Sequence, residues 1–204
     1  MVRKIAVGVC FVFPLALLVW QEYGTLIGAH LRSGPVAGPV VREHEWARPV
    51  SAPPLENCFR VAEDLYRGAQ PTGEGIRRLK QMGVRTIVNL RRMHTDADEA
   101  DGAEVRTVDI YVNPAKPREE QVVAFLRIVS DPNCTPVYVH CQRGIDRTGM
   151  MCAAYRMLIC GWSKQEAIDE MTRGPFGYDA VFVNVPEFLR GLDVEALRRE
   201  VRRR

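Results

Sequence analysis

Pro136-Val137-Tyr138-Val139-His140-Cys141-Gln142-Arg143-Gly144-Ile145-Asp146-Arg147-Thr148-Gly149 is the stretch that decides how this chain is read. Its opening residues are apolar, β-branched or aromatic, and predict a short buried strand that ends at His140. From Arg147 the sequence runs to Cys160 with helical character and stops at Gly161. Five residues separate Cys141 from Arg147. A connection of that length between strand and helix can curl until its backbone N–H groups point at one anion. The N-terminus of the helix then adds partial positive charge.

The pattern extends outward in both directions. Phe59-Arg60-Val61 and Leu65-Tyr66-Arg67 read as short strands around a turn at Glu63-Asp64. Residues 84–90 (VRTIVNL) and 105–111 (VRTVDIY) are further β-branched strands. Thr72 caps a helix that runs to Met82 and stops at Gly83, and residues 119–130 are apolar at helical spacing. Ser163-Lys164-Gln165-Glu166 is a capping box that opens the next helix, and a last helix begins near Pro186. Strands alternating with helices predict one α/β domain, a central mainly parallel sheet with helices on both faces.

The 204 residues carry 47% hydrophobic and 26% charged side chains, the balance of a globular protein. The net charge of +3 owes much to Arg198, Arg199, Arg202, Arg203 and Arg204. Arginines at a helix end complement the helix dipole, and no aromatic residues interleave with them, so no nucleic-acid partner is proposed. Six cysteines, at 10, 58, 134, 141, 152 and 160, are too scattered for a disulfide scaffold. None has the spacing of a zinc site, and adjacent His140 and Cys141 point to opposite faces of a strand. Neither a metal nor a cofactor is expected.

Ahead of the domain lie two segments of different character. Residues 1–31 begin with Arg3 and Lys4 and continue into an uncharged apolar run over 5–20, the pattern of a signal-anchor or signal peptide. The reading favours an uncleaved membrane anchor with the domain on the non-cytoplasmic side, the alternative being secretion after cleavage. Residues 32–55 contain five prolines and no amphipathic period, which predicts an extended linker, with the catalytic domain over 56–204. An exported domain would leave Cys58 and Cys134 free to form a disulfide, a pairing the sequence does not decide.

The motif itself specifies chemistry. Cys141 is the nucleophile, its thiolate favoured by the converging donors and the helix dipole. The cradle for the anion is made by Gln142, Arg143, Gly144, Ile145, Asp146 and Arg147, with Gly144 letting the backbone approach closely. Arg147 offers a planar fork to two phosphate oxygens and stabilises the charge of the transition state. Thr148 is placed to donate its hydroxyl to the sulfur, and His140 to orient the cysteine backbone. Arg143 either suits a polyanionic head group or is a surface arginine; the two readings are equal.

The loop resembles the signature of the protein tyrosine phosphatase superfamily, in its small dual-specificity branch. The likeness continues through Asn57-Cys58-Phe59-Arg60-Val61, Leu65-Tyr66-Arg67-Gly68-Ala69-Gln70-Pro71 and Gly83-Val84-Arg85-Thr86-Ile87-Val88-Asn89-Leu90-Arg91. These strings are similar to bacterial members and to plant and fungal atypical dual-specificity phosphatases. The resemblance implies a metal-independent phosphatase acting on phosphotyrosine, extending to phosphoserine and phosphothreonine, through a cysteinyl-phosphate that water hydrolyses.

It also implies an aspartate on a separate upstream loop that protonates the leaving oxygen. Asp109 lies 32 residues before Cys141 and is the first candidate, although it falls in a predicted strand. The loop proper, residues 111–117 (YVNPAKP), holds no acid, and Asp146 inside the signature is the rival. Asp96, Asp98, Glu99 and Asp101 read as a solvated acidic loop. Three alternatives stand beside the protein phosphatase: a phosphoinositide or inositol-phosphate phosphatase, a phospho-binding pseudophosphatase, and, with least support, a sulfurtransferase. The expected partners are a phosphorylated protein or phosphoinositide, and a membrane through the N-terminal segment.

Overall fold

A strand whose two faces are both apolar belongs in the middle of a sheet. In the computed structural model, which describes residues 44–100 and 102–203, that strand is β6 (Val137–His140). Val137 and Val139 pack into one core while Tyr138 packs into the other. The sheet runs β1 (Arg48–Pro49), β2 (Phe59–Ala62), β3 (Leu65–Gly68), β6, β4 (Thr86–Asn89), β5 (Arg106–Asp109). The pairs β3–β6, β6–β4 and β4–β5 are parallel, and β1–β2 and β2–β3 are antiparallel.

Helix α1 (Gly73–Gln81) covers one face with Ile76 and Leu79, which pack on Ile87 and Tyr138. Thr72 caps it, accepting from the Gly75 N–H at 3.2 Å. The other face carries α2 (Glu119–Val129), α3 (Asp146–Leu158), α4 (Lys164–Arg173), α5 (Asn184–Gly191) and α6 (Val194–Arg202). Their shared core includes Val88, Val139, Phe125, Met150 and Leu189, all fully buried. Each such side chain contributes about 1.5–3 kcal/mol of burial. The single helix expected near Pro186 is two helices, α5 and α6, broken at Leu192. Arg198 from α6 donates to the carbonyls of Met157 and Leu158, satisfying the open C-terminal end of α3.

The domain begins earlier than the expected boundary at residue 56. Residues from His44 onward belong to the same compact unit, and β1 pairs with the sheet edge through Arg48 and Pro49. Ala47 and Ala52 are buried. Of the prolines that suggested a linker, Pro49 sits on the edge strand β1, where a missing N–H donor costs nothing. A buried ion pair holds this strap. Arg156 and Glu170 meet at 2.8 Å, and Glu170 Oε1 also accepts the Ala47 N–H at 2.6 Å. The signal segment 1–31, residues 32–43 of the expected linker, Asp101 and Arg204 lie outside the described residues.

Among the described residues all five cysteines are free, Cys58 and Cys134 included, and Cys160 alone of them is exposed. No helix among the described residues is long and apolar enough to cross a membrane.

Candidate active site

Cys141 follows the last residue of β6, and α3 begins at Asp146. Between them the chain turns back on itself with every carbonyl directed outward. The Cys141 carbonyl faces His140 Nδ1 at 3.1 Å, and that of Gln142 accepts the Gln70 N–H at 3.2 Å. Asn57 Nδ2 donates to the Arg143 carbonyl at 3.0 Å, and Arg67 Nη2 to that of Gly144 at 2.8 Å. The Ile145 carbonyl takes the Gly149 N–H at 2.6 Å. A peptide plane that turns its oxygen out turns the next N–H in, so these external bonds leave the donors facing a common centre. The N–H groups of Ile145 and Thr148 are directed at the Cys141 sulfur.

Gly144 has φ of +72°, a conformation that strains any other residue. A Cβ there would also overlap the Gly68 carbonyl, because the loop packs directly on the end of β3. Ile145 is half-buried and precedes the helix, and Gln142 is exposed at the mouth.

The electrostatics single out one thiol. Burial pushes Cys58 and Cys152 up to about 11. Cys141 is just as buried, at 3% exposure, and burial pulls it in the same direction. There the opposing influences win: the Thr148 hydroxyl, the Arg147 charge, and the Thr148 and Ile145 N–H groups bring the thiol below its usual range. Thr148 Oγ1 is buried and makes no hydrogen bond of strict geometry. A hydroxyl rotor beside the sulfur fits both observations, since it has no competing partner and is free to turn toward a thiolate. Arg147 rests one guanidinium nitrogen 3.4 Å from the Leu90 carbonyl at the end of β4.

Arg143 is not a spare cation. Its guanidinium pairs with Asp146 at 3.4 Å and Asp179 at 3.2 Å, which removes the observation that suited a polyanionic head group. Asp146 is equally engaged, since its second oxygen accepts the Asp179 N–H at 3.0 Å. Asp109 ends β5, in register with Asn89 of β4, which in turn is in register with His140. At ordinary strand spacing, Asp109 and His140 are about 10 Å apart. The Asp109 carboxylate is exposed and accepts from Asn89 Nδ2 at 2.9 Å.

Three residues in this construction carried no functional expectation. Arg67 is 1% exposed, bonded to Gly144 and stacked 3.9 Å from the centroid of Phe176. Asn57 ties the loop to the Phe176 carbonyl at 3.2 Å. Asp96, expected in a solvated acidic loop, is fully buried and lies 2.7 Å from His140 Nε2. The available signal for Arg67 was a lone arginine at an inward position of a short strand, which only a buried acceptor explains.

A family model described as DSP-PTPase phosphatase fused to NAD+ kinase matches residues 57–179. The dual specificity protein phosphatase TpbA of Pseudomonas aeruginosa (strain UCBPP-PA14) is 34% identical over 188 residues, covering 90% of this chain and 83% of that protein. The chain belongs to the dual-specificity tyrosine phosphatase family. A crystal structure of a cysteine-to-serine variant of P. aeruginosa TpbA in complex with pTyr superposes with a TM-score of 0.70 at 29% identity, covering 80% of this chain and 99% of that one. The core catalytic domain of a PP-IP phosphatase from S. cerevisiae shares the fold, with a TM-score of 0.63 at 22% identity over 73% of this chain and 93% of its own. Like its dual-specificity relatives, this chain is a cysteine-dependent phosphatase, and its described residues form a mixed six-stranded sheet with flanking helices. A cavity of about 780 Å³ lies elsewhere, between α2 and α6 beside Arg127, Ile159 and Arg202.

Proposed function

We propose that this phosphatase removes the phosphoryl group from phosphotyrosine in proteins, extending to phosphoserine and phosphothreonine. The observation that carries the reading is the lowered thiol of buried Cys141, set against the raised thiols of buried Cys58 and Cys152. The phosphate oxygens take the inward N–H groups and the Arg147 fork, and the thiolate attacks phosphorus in line with the ester oxygen. A cysteinyl-phosphate forms, the alcohol leaves with a proton, and water attacks phosphorus in the second step to release inorganic phosphate. Thr148 stabilises the departing thiolate in that step.

Asp109 is our candidate for the proton donor. What supports it is that Asp146 is occupied by Arg143 and the Asp179 N–H, whereas Asp109 is exposed at the end of β5, the same end of the sheet from which the loop leaves β6. The test is turnover of an aryl phosphate and of a phosphotyrosine peptide. Cys141→Ser abolishes both, and Asp109→Asn slows substrates with poor leaving groups far more than those with good ones. Phosphopeptide binding by the wild type without turnover is the outcome that ends the enzyme reading.

We also place the domain at a membrane, on its non-cytoplasmic side, through the N-terminal segment. The support is sequence alone, Arg3 and Lys4 ahead of the uncharged run over 5–20. A C-terminal reporter active only after export should light up in cells; activity of a cytoplasm-only reporter instead would overturn the placement.

A further inference from the structure

We propose that Asp96 is a positioning residue for the nucleophile, acting through His140 as one proton-sharing pair beneath Cys141. The proposal rests on Cys141 being the nucleophile, and on the following geometry. A backbone carbonyl only accepts, so His140 Nδ1, 3.1 Å from the Cys141 oxygen, must carry a hydrogen. The other ring nitrogen, Nε2, lies 2.7 Å from Asp96 Oδ2, and one more proton bridges those two atoms. Both residues are fully buried, so water does not compete for either contact.

Asp96 is itself held in place. Gln70 Nε2 donates to its Oδ1 at 2.6 Å, while Gln70 Oε1 accepts from Arg91 Nη1 at 3.1 Å. The Arg91 contact settles which end of the Gln70 amide faces the carboxylate, since an arginine only donates. The Gln70 N–H meanwhile binds the Gln142 carbonyl. One chain of bonds therefore runs from Arg91 through Gln70 and Asp96 to His140 and the carbonyl of the nucleophile. It reaches the loop on two consecutive carbonyls, and so fixes two of the planes that turn the N–H groups inward.

The charged and titratable neighbours of the pair are few. His94 Nε2 stands 3.5 Å from Asp96 Oδ1 and 3.6 Å from Glu99 Oε1 on the outer side. Tyr138 stacks on His140 with centroids 5.9 Å apart, and its hydroxyl is committed to the Ala69 carbonyl. Cys58 and Arg67 act electrostatically on Tyr138, and Arg147 acts on the sulfur. Removing the Asp96 charge frees the bridging proton to leave His140, and among the described residues no other side chain is in hydrogen-bond contact with Nε2 to hold it. The sulfur then loses a nearby positive partner, while Nδ1 keeps its hydrogen on the Cys141 carbonyl.

The experiment is the pH dependence of Cys141 alkylation by iodoacetate in the full chain, with substrate absent, alongside kcat/KM for an aryl phosphate. Asp96→Asn keeps the shape and removes the charge. Its half-point for alkylation should move up by about one pH unit, which leaves about tenfold less thiolate on the acid side. The acid limb of kcat/KM should move with it, and Asp96→Glu should recover part of the shift. In a His140→Asn background, which keeps a donor for the Cys141 carbonyl but cannot reach Asp96, Asp96→Asn should have no further effect. An unchanged half-point in folded Asp96→Asn, or an equal shift in the His140→Asn background, overturns the proposal. Where Asp96→Asn fails to fold, Gln70→Leu decides: the half-point rises if the chain acts as described and stays put if it does not. If iodoacetate does not modify Cys141 at all, it is the nucleophile reading that fails.

Discussion

Arg67 and Gly144 are joined across 2.8 Å in a place water does not reach, the guanidinium of a strand residue holding the carbonyl of the phosphate loop. The same guanidinium stacks on Phe176, so both its edge and its face are used. The contact fixes a loop plane without touching the phosphate itself. A buried cation with a carbonyl and a ring as partners is costly to assemble and costly to disturb.

Arg67→Lys should therefore be far from conservative. The ammonium cannot keep both the Gly144 bond and the flat contact with Phe176. Urea unfolding should show a loss of about 2–3 kcal/mol, and kcat/KM should fall with it. An unchanged midpoint would mean that the loop holds its shape without this bond.

The thiolate of Cys141 exists above its lowered pKa and disappears as pH falls through it. At pH 7 iodoacetate should modify Cys141 ahead of Cys58 and Cys152, which burial holds at about 11. Inorganic phosphate should protect it. Peptide mass mapping reads the result, and preferential modification of Cys152 would contradict the electrostatic assignment.

Thr148→Ala removes the strongest of the influences that favour the thiolate. The half-point for alkylation should rise, and breakdown of the cysteinyl-phosphate should slow. Rapid-quench kinetics should then show a burst of alcohol followed by a slower steady state, about tenfold below wild type. A loss of burst and steady state in equal measure would place Thr148 in the first step instead.

Gly144→Ala forces a Cβ into the Gly68 carbonyl at a residue with positive φ. The loop has to move, and the inward N–H groups move with it. Added phosphate should raise the Tm of the wild type and leave that of Gly144→Ala nearly unchanged. Equal shifts would show that the close packing on β3 is dispensable.

Glu170→Ala strands Arg156 in a site where the two side chains are 6% and 4% exposed, and it releases the Ala47 N–H. The cost should be about 3–5 kcal/mol. A chain starting at residue 56 should lose stability by removing the same strap, and calorimetry of the two compares them. If the shorter chain melts with the longer one, the strap is not part of the folding unit.

What could be read without a structure was whatever is local along the chain. Val137 to His140 and the helix after the loop declare themselves through β-branching, apolar spacing and the glycine stop. The loop is defined by the distance between Cys141 and Arg147. Thr72 and Ser163 cap helices through residues three positions away. The sequence on its own determined the strand–loop–helix unit and the reaction type, and it named the residues proposed as the nucleophile and its cradle. Tertiary structure decided the rest. Arg67 meets Gly144 from 77 residues away, Asn57 meets Arg143 from 86, and Asp96 meets His140 from 44. A polar side chain gives no local sign of whether its partner waits in the core, and so Asp96 and the Pro-rich strap both looked solvated. Whether burying such a group stabilises or disrupts depends on the partner the fold brings to it, and only the folded chain puts that partner within bonding distance.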